Sequence, residues 1–432
     1  MESVAQQTAG SLRVYTLEEC LKIGASENLE VQGAVANAME ASARLRSAFA
    51  GYLPTASISL GYSRTLNTVT GFNLGGQVQE IPIRNPDLFF ASGNVGYLLF
   101  DGFAREHNHT AAQLSQSAAD NTLAQTRCRV LNTIRSQYLA ILRAKQTLRI
   151  RREDFELGKK QLERLREQYK AGVLAIAPVL TQEADVANRE LAVVQAENDL
   201  DLAKGALLTT LGMNPSAHVD FADVSIPSTV SDTDIREFRS LIGDFATACT
   251  TAISKRLDLR AAQSSFEAAQ ETARAAQGSW LPTISAGYQY SWNGNSLSFF
   301  EYGRQGLGVS LDYTIFNGFQ RDVSIQRAQI QEQQALIQRR QAEQRVIADV
   351  QNAFVQLSAA EKSLDITARA LHAAQQNFDA AEERFKVGAA NILDYTIANA
   401  NLATAKINRV SALYNYIAAR YQMQFSLGLL EE

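Results

Sequence analysis

The four residues Phe316-Asn317-Gly318-Phe319 repeat the pattern Phe100-Asp101-Gly102-Phe103, which stands 216 residues earlier in the chain. The same offset relates two further pairs of segments, Tyr169-Lys170-Ala171-Gly172 with Phe385-Lys386-Val387-Gly388, and Leu211-Gly212 with Leu427-Gly428. More than 100 residues therefore repeat without a net insertion or deletion. A constant offset over this length predicts one structural unit that occurs twice in the chain.

A second offset relates the segments that precede this motif. Leu53-Pro54 corresponds to Leu281-Pro282 at an offset of 228, so the first copy carries 12 extra residues between its Leu-Pro and its Phe-x-Gly-Phe. Insertions of this size usually fall in loops, which predicts a loop in that interval. The repeats divide the chain into a first copy at 1–212, an acidic linking segment at 213–244 and a second copy at 245–432.

Within each copy, the residues before the motif change from a helical pattern to a strand pattern. Thr16 and Glu19 can form a capping box that starts a helix predicted over 16–50, and its counterpart is predicted over 245–277. After each Leu-Pro, apolar residues alternate with polar ones, which predicts two strands per copy. The predicted strands are about 55–67 and 88–100 in the first copy, and 283–292 and 306–316 in the second.

The length and side chains of these strands favour a membrane location. Each strand has about ten residues, the length that crosses a bilayer at a tilt of about 45°. Tyr288, Tyr290 and Trp292 resemble a membrane-interface girdle, and the opposite strand face carries Ser, Thr, Gly, Gln and Asp. Four strands cannot close a barrel, since about eight is the smallest number that does, so several chains would have to share one. The alternative is a pair of hairpins packed on a soluble core.

A proline-free segment of helical pattern follows each motif. It is predicted as a helix over 103–170 and again over 319–386, roughly 100 Å long at about 1.5 Å per residue. A return helix follows, predicted over 178–211 and 392–427, and a glycine ends each one. Along the long helices apolar residues recur every seven positions: Ile134, Ile141, Leu148, Phe155, Leu162 and Tyr169, then Val350, Leu357, Leu364, Leu371, Phe378 and Phe385. This repeat predicts helices that coil around their neighbours.

The joints between long and return helices are short turns centred on Gly172 and Gly388. At the first, Val173-Leu174-Ala175-Ile176 is apolar at a tip that should be exposed, which favours a docking surface. At the second, Asn391 can cap the return helix while Asp394 occupies its first turn. The helix dipole alone favours a carboxylate there, so the position of Asp394 fits either a structural or a functional role.

The composition excludes several classes of protein. Forty-one basic and 45 acidic residues give a net charge of −4, and no run of like charge indicates a nucleic-acid partner. The three cysteines are too far apart to outline a disulfide framework or a metal site. No phosphate loop, metal spacing or nucleophile with a base is recognisable, so we expect no enzyme, cofactor or metal. No apolar run reaches the length of a membrane-crossing helix. Residues 1–7 lack the pattern of a signal peptide, which is expected either of an intracellular protein or of a mature form whose signal has been removed.

The order, spacing and duplication of these elements resemble the TolC family of outer-membrane efflux and secretion channels over nearly the whole chain. The resemblance implies a fold that is mainly α with a β-barrel portion. Three chains, with four strands each, would form a 12-stranded transmembrane β-barrel in outer-membrane lipid, joined to an α-helical barrel in the periplasm. It also implies a passive exit duct of a tripartite efflux or type I secretion system, docked at its periplasmic tip to an adaptor protein and so to an inner-membrane pump of the RND or ABC type.

The resemblance also implies roles for single residues. Six residues match the adaptor-docking tips of the family: Gly172, Val173, Leu174, Val387, Gly388 and Ala389. Asp394 matches an aspartate that forms an acidic ring at the narrow end of the tunnel, a pore constriction. Where TolC has tyrosine, arginine and aspartate in a polar gate, this chain has Phe385, Ala390 and Pro178, so we expect closure to depend on packing at the tip. The linking segment at 213–244 matches the segment that forms an equatorial belt in the TolC family.

Two functions from different classes are consistent with the sequence. In the first, the chain is an outer-membrane conduit whose strands form a lipid-facing barrel shared between three copies. In the second, it is a soluble coiled-coil scaffold or interaction protein with no pore, whose hairpins pack at the end of a helical bundle. Substitution of the two strand faces discriminates between them, because only a membrane penalises a charge on one face.

Overall fold

The structure is a computed structural model that describes residues 13–66, 69–74, 77–82, 86–222, 229–294, 303–387 and 389–430. The chain forms two compact units. The helical unit takes residues from 1–37, 120–260 and 340–432, and the strand unit from 38–119 and 261–339. Both units draw on both sequence repeats, so the division into units cuts across the duplication.

Nine α-helices lie within the described residues. They are α1 (Leu17–Glu27), α2 (Leu29–Ala50), α3 (Ala104–Lys170), α4 (Ile176–Thr210), α5 (Asp232–Ile242), α6 (Phe245–Lys255), α7 (Leu257–Gln277), α8 (Gln320–Lys386) and α9 (Ile392–Ser426). Among these residues, none of the helices combines the length and the apolar character needed to cross a membrane.

The seven-residue repeat predicted a buried seam along α3 and α8. Seven of its residues are buried, four on α3 and three on α8: Ile134, Ile141, Leu148 and Leu162, and Val350, Leu357 and Leu364. Towards the helix ends the seam is less covered, and Tyr169 is 45% exposed. The seam is therefore confirmed along the central part of the two long helices, where it supplies the core of the helical unit.

Each helix predicted before the strands is two helices in the structure. The break falls at Asn28 between α1 and α2 and at Arg256 between α6 and α7, with extended backbone at both residues. The Asn28 side chain accepts a hydrogen bond from the Val31 N–H (3.1 Å) and donates one to the Thr210 carbonyl (2.7 Å). Arg256 is buried and pairs with Asp349 at 2.8 Å. These side-chain contacts compensate for the helical hydrogen bonds that are lost at the two breaks. The periodicity of the sequence alone does not reveal the breaks.

Eight strands lie within the described residues. They are β1 (Arg13–Tyr15), β2 (Thr55–Arg64), β3 (Val69–Leu74), β4 (Gln77–Pro82), β5 (Asp87–Phe100), β6 (Val219–Phe221), β7 (Thr283–Gly294) and β8 (Arg304–Asp312). In the helical unit, β1 pairs in parallel with β6, a pair that the sequence did not predict. In the strand unit, β3 and β4 form a separate hairpin within the interval that carries the 12 extra residues, where the sequence predicted a loop.

The main sheet has the strand order β2-β5-β7-β8 and is antiparallel throughout. Thr55 lies opposite Gly96 in the first hairpin, and Thr283 lies opposite Asp312 in the second. These two pairs are the same pair under the sequence offsets of 228 and 216. The hairpins of the two repeats therefore share one register, and β5 and β7 join the repeats at the centre of the sheet.

The Phe-x-Gly-Phe motif forms the turn between the last strand of each repeat and its long helix. Gly102 and Phe103 both have left-handed backbone, at φ 73° and 65°, and Gly318 and Phe319 repeat this at 66° and 64°. A bulky residue at positive φ is strained, so the surroundings must fix it. In the first copy, the Asp101 carboxylate accepts the N–H of Arg105 at 3.0 Å and starts α3. β8 ends at Asp312, four residues short of the predicted strand end, because this turn follows.

Candidate functional site at the helical tips

The first tip is the turn between α3 and α4. Gly172 has φ +74°, its N–H binds the carbonyl of Tyr169 (2.9 Å), and the Val173 N–H binds the carbonyl of Gln168 (3.0 Å). This is the Schellman arrangement, which needs a residue that tolerates left-handed backbone. It leaves the Val173 side chain 78% exposed, whereas Leu174 packs on a small buried cluster of the hairpin.

The second tip is the turn between α8 and α9. Gly388 lies outside the described residues. On either side of it, Val387 is 76% exposed and the Ala389 N–H binds the carbonyl of Arg384 at 2.8 Å. The Asn391 side chain caps α9 by accepting the N–H groups of Leu393 (2.6 Å) and Asp394 (3.1 Å).

Exposed apolar side chains surround both turns. Six of them are at least 45% exposed: Val173, Ile176, Leu180, Val387, Leu393 and Ile397. Leu180, Leu393 and Ile397 extend the surface beyond the residues that the sequence singled out for docking. Exposed apolar surfaces of this kind are typical of sites where another molecule binds.

Asp394 lies in the first turn of α9 and is exposed. It has no ion-pair partner among the residues that the structure describes. Its backbone N–H is already satisfied by Asn391, so the carboxylate itself is not needed as a helix cap. One turn further along α9, the Ile397 side chain is 50% exposed.

An aromatic stack lies behind the second tip. The ring of Tyr395 stacks on Phe385 with centroids 5.4 Å apart and lies 5.6 Å from Phe378. Burial raises the pKa of the Tyr395 hydroxyl above its ordinary value. The resemblance implied closure by packing where TolC has a polar gate. Phe385 packs on Tyr395, and the part of this contact in closing the tip stays a prediction.

A buried polar cluster joins α3, α4 and α9, and no sequence pattern predicted it. Arg189 of α4 is 8% exposed, donates through Nε to Asp185 (2.6 Å) and forms an ion pair with Asp154 of α3. Asn399 of α9 donates to the same Asp154 carboxylate at 2.7 Å. Burial raises the pKa of Asp154, against the opposing effects of Arg189 and Asn399. A Cβ on Gly158 would lie 2.9 Å from the Arg189 side chain, so this glycine makes room for the guanidinium.

The described residues contain no group of three or more His, Cys, Asp and Glu that could hold a metal ion. In the strand unit, His107 pairs with Glu271 at 2.7 Å, and the same glutamate binds Arg274. His109 packs edge-on against the Tyr52 ring at 5.8 Å. Both histidines thus have structural partners.

The family model of the outer membrane efflux protein matches residues 24–213 and 249–429. The chain belongs to the outer membrane efflux protein family. The two matched segments coincide with the two sequence repeats, and most of the linking segment lies between them.

Relatives and solved structures agree with this family. The outer membrane protein TolC of Vibrio cholerae is 26% identical over 375 residues, which cover 85% of this chain and 82% of that protein. The outer membrane efflux protein BepC of Brucella suis is 23% identical over 407 residues, which cover 92% of this chain and 84% of that protein. The crystal structure of the Campylobacter jejuni CmeC outer membrane channel shares the fold, with a TM-score of 0.80 at 16% identity, covering 99% of this chain and 90% of that one.

The family resolves the choice between conduit and scaffold. This outer membrane efflux protein is located in the outer membrane and serves as an exit channel for efflux or secretion. The resemblance to the TolC family is confirmed, and the soluble scaffold is not favoured. The family is one of channels and not a class of enzymes.

Proposed function

We propose that three copies of this efflux protein close one 12-stranded β-barrel, continued by an α-helical barrel, and together form a passive exit duct. The observation that carries the proposal is the pair of open sheet edges. β2 and β8 stand at opposite edges of the four-stranded sheet, and each has one unpaired side among the described strands. An open edge within lipid leaves backbone groups unsatisfied, at several kcal/mol each. Four strands cannot close on themselves, so further copies must complete the barrel.

The helical tips would dock the duct to a periplasmic adaptor protein, and through it to an inner-membrane pump of the RND or ABC type. The support is the apolar surface around Val173 and Val387, which is exposed at the two turns. Gly172 and Gly388 would set the turns, while Leu174 and Ala389 would support them. In this proposal the pump supplies energy and direction, and the duct contributes only a path.

We assign the pore constriction to Asp394, because three copies would bring three unpaired carboxylates to the narrow end. Asp394→Asn is then expected to lower the preference for cations over anions, since fixed negative charge favours cations in the pore. The measurement is the reversal potential under a salt gradient. Asp365→Asn is the matched control, because Asp365 is an exposed aspartate of α8 paired with Arg369. Equal reversal potentials in parent and Asp394→Asn protein would remove Asp394 from the pore.

The two faces of the sheet should respond differently to a charge if the strands cross lipid. Ala286 lies opposite Val309 on the apolar face, while the hydroxyls of Ser285 and Ser310 meet at 2.8 Å on the other. Ala286→Arg is expected to cost about 2–4 kcal/mol at the bilayer midplane, and Ser285→Arg much less. Urea titration of folding into liposomes measures the free energy of folding of both variants. Equal tolerance on the two faces would contradict a membrane-spanning sheet.

A further inference from the structure

A groove in the helical unit is lined by residues of α3, α4 and β6 and has a volume of about 810 Å³. Along α3 it extends from Lys145 to Lys160, a distance of about 22 Å at about 1.5 Å per residue. Five cationic side chains line it, Lys145, Arg149, Arg152, Lys160 and Lys204, against three acidic ones. The groove therefore carries a surplus of positive charge.

The acidic side chains of the groove do not balance these cations. At one end, Lys145 and Lys204 share the single carboxylate of Asp220, with the Lys204 ammonium 3.8 Å away. Burial alone would raise the pKa of Asp220, but Lys145 and, more weakly, Lys204 outweigh burial and hold this pKa below its ordinary value. Asp220 is thus already ionised and offers no further negative charge. A second acid, Glu156, is paired with Lys159 at 2.6 Å.

Towards the other end of the groove the cations are more open to new partners. Arg149 has a side chain 68% exposed and lies 3.7 Å from Glu153, a long contact that water screens. Lys160 is exposed and has no ion-pair partner among the residues that the structure describes. Arg152, in contrast, already binds Glu197 at 2.6 Å. Lys204, Arg149 and Lys160 are therefore the cations that can bind an added anion.

The floor of the groove is apolar. Leu148 and Leu200 are buried, and Leu157 is half-buried further along α3. The aliphatic stems of the lysines and arginines flank these leucines, with the charged ends towards water. A ligand that fills the groove thus needs apolar groups against the floor and anionic groups spread along about 22 Å of its rim.

The second repeat does not carry this charge. Four of the five cations are replaced at the positions 216 residues later, which are Glu361, Asp365, Ala368 and Gln376. Lys204 alone keeps a cation there, Arg420, while Leu148 keeps its packing role in Leu364, which is also buried. The packing of a long helix on its return helix therefore requires the leucine and not the row of cations.

The groove lies away from the exposed apolar face of α4. That face carries Leu191 and Leu202, which are 56% and 65% exposed. Leu200 and Lys204 are each two residues from Leu202, which places them about 200° around the helix from it. A molecule that covers the apolar face of α4 therefore leaves the groove accessible.

We propose that this groove binds an extended acidic peptide segment of another protein, with carboxylates on Lys204, Arg149 and Lys160 and apolar side chains on the leucine floor. In an extended peptide successive side chains point to opposite faces at about 3.3 Å per residue, so about seven residues span the groove. Clusters of cations recognise acidic motifs in this way. A fatty acid carries its charge at one end only, whereas the cations lie at both ends of the groove. The inference goes beyond the proposed duct and does not depend on it, because elements of one chain form the groove.

Fluorescence anisotropy of a labelled seven-residue peptide of alternating glutamate and leucine tests the groove on purified protein in neutral detergent. We expect saturable binding that weakens as the salt concentration rises. Arg149→Glu/Lys160→Glu should weaken it about tenfold, because each reversal replaces an attraction by a repulsion, and the milder Lys160→Gln about threefold. Arg340→Glu/Arg345→Glu is the matched control, since both are exposed arginines of α8 without an ion pair among the described residues. The control should keep the affinity of the parent.

A photoreactive form of the same peptide locates the site, and we expect its crosslinks within 145–160 and 200–204. Crosslinks elsewhere, or equal affinities of the parent and a folded Lys160→Gln protein, would overturn the groove as the site. Equal binding of a peptide with glutamine in place of glutamate would overturn recognition by charge, and tighter binding of laurate would assign the groove to fatty acids instead. Protein that gives current steps in a bilayer but does not bind the peptide overturns this inference and retains the proposed function. Protein that binds the peptide but gives no steps does the reverse.

Discussion

Arg189→Leu is expected to destabilise the helical unit by about 3–5 kcal/mol, the range for removing one partner of a buried ion pair. Arg189 and Asp154 are 8% and 10% exposed in their side chains, and the substitution leaves Asp154 with Asn399 as its remaining side-chain partner. Asp185 would lose its 2.6 Å contact as well. Thermal and urea unfolding of detergent-solubilised protein, followed by helical circular dichroism, measures the loss.

A surface ion pair between the same two helices provides the control. Arg152 binds Glu197 at 2.6 Å, with side chains 59% and 44% exposed. Arg152→Leu should cost at most about 1 kcal/mol, because water screens exposed pairs. Asp154→Leu/Arg189→Leu should recover part of the loss, since it removes the unpaired carboxylate. Equal effects of Arg152→Leu and Arg189→Leu would contradict the buried cluster.

The loss of stability in Arg189→Leu should depend on pH in a defined direction. Burial already raises the pKa of Asp154, and the loss of Arg189 removes the main opposing effect. A carboxyl whose pKa is higher in the folded state stabilises the fold below its ordinary pKa, and this contribution is lost as the pH rises through the folded value. The deficit of Arg189→Leu in the free energy of unfolding should therefore shrink as the pH falls through the raised pKa of Asp154 towards the ordinary aspartate value. A deficit that grows on acidification would contradict this cause.

Gly102→Ala is expected to destabilise the strand unit by about 2–5 kcal/mol, from left-handed backbone and from overpacking together. Gly102 has φ +73°, and a Cβ there would lie closer than 3.0 Å to the carbonyl oxygen of Gly278. Both atoms belong to backbone, so no flexible side chain can move aside. The yield of folded protein in outer membranes and its urea midpoint measure the effect.

Two further glycine substitutions separate the causes. In Gly278→Ala, the new Cβ would collide with the carbonyl oxygen of Gly102, but Gly278 does not have positive φ. It should therefore show the steric part of the loss alone. Gly93→Ala on β5 meets no atom within 4 Å and should be nearly neutral. If Gly93→Ala were as damaging as Gly102→Ala, the close backbone approach would not be the cause.

Periodicity and offsets in the sequence were sufficient for the elements that depend on local pattern. The long helix predicted over 103–170 is α3 at Ala104–Lys170, and the one predicted over 319–386 is α8 at Gln320–Lys386. The seven-residue repeat along each long helix, and the glycine two residues after its end, carry this information locally in the sequence. The repeat offsets also anticipate the shared hairpin register, because equal spacing permits equal pairing.

Features that depend on distant partners could not be read from the sequence. The breaks at Asn28 and Arg256 depend on Thr210 and Asp349, which lie far along the chain. The polar cluster depends on Asn399 meeting Asp154 across 245 residues. The residues of the tips were chosen by resemblance, and their roles in docking and at the constriction remain predictions.

Single-channel recording of the purified protein in a planar lipid bilayer tests the outer-membrane conduit most directly. The expected result is stable current steps whose size rises with salt concentration, since a trimeric duct would give a continuous aqueous path through the membrane. Small steps would indicate a constricted tip, and large steps an open one. Absence of steps from protein shown by circular dichroism to be folded, and by flotation with lipid vesicles to be inserted, would contradict a membrane-spanning duct.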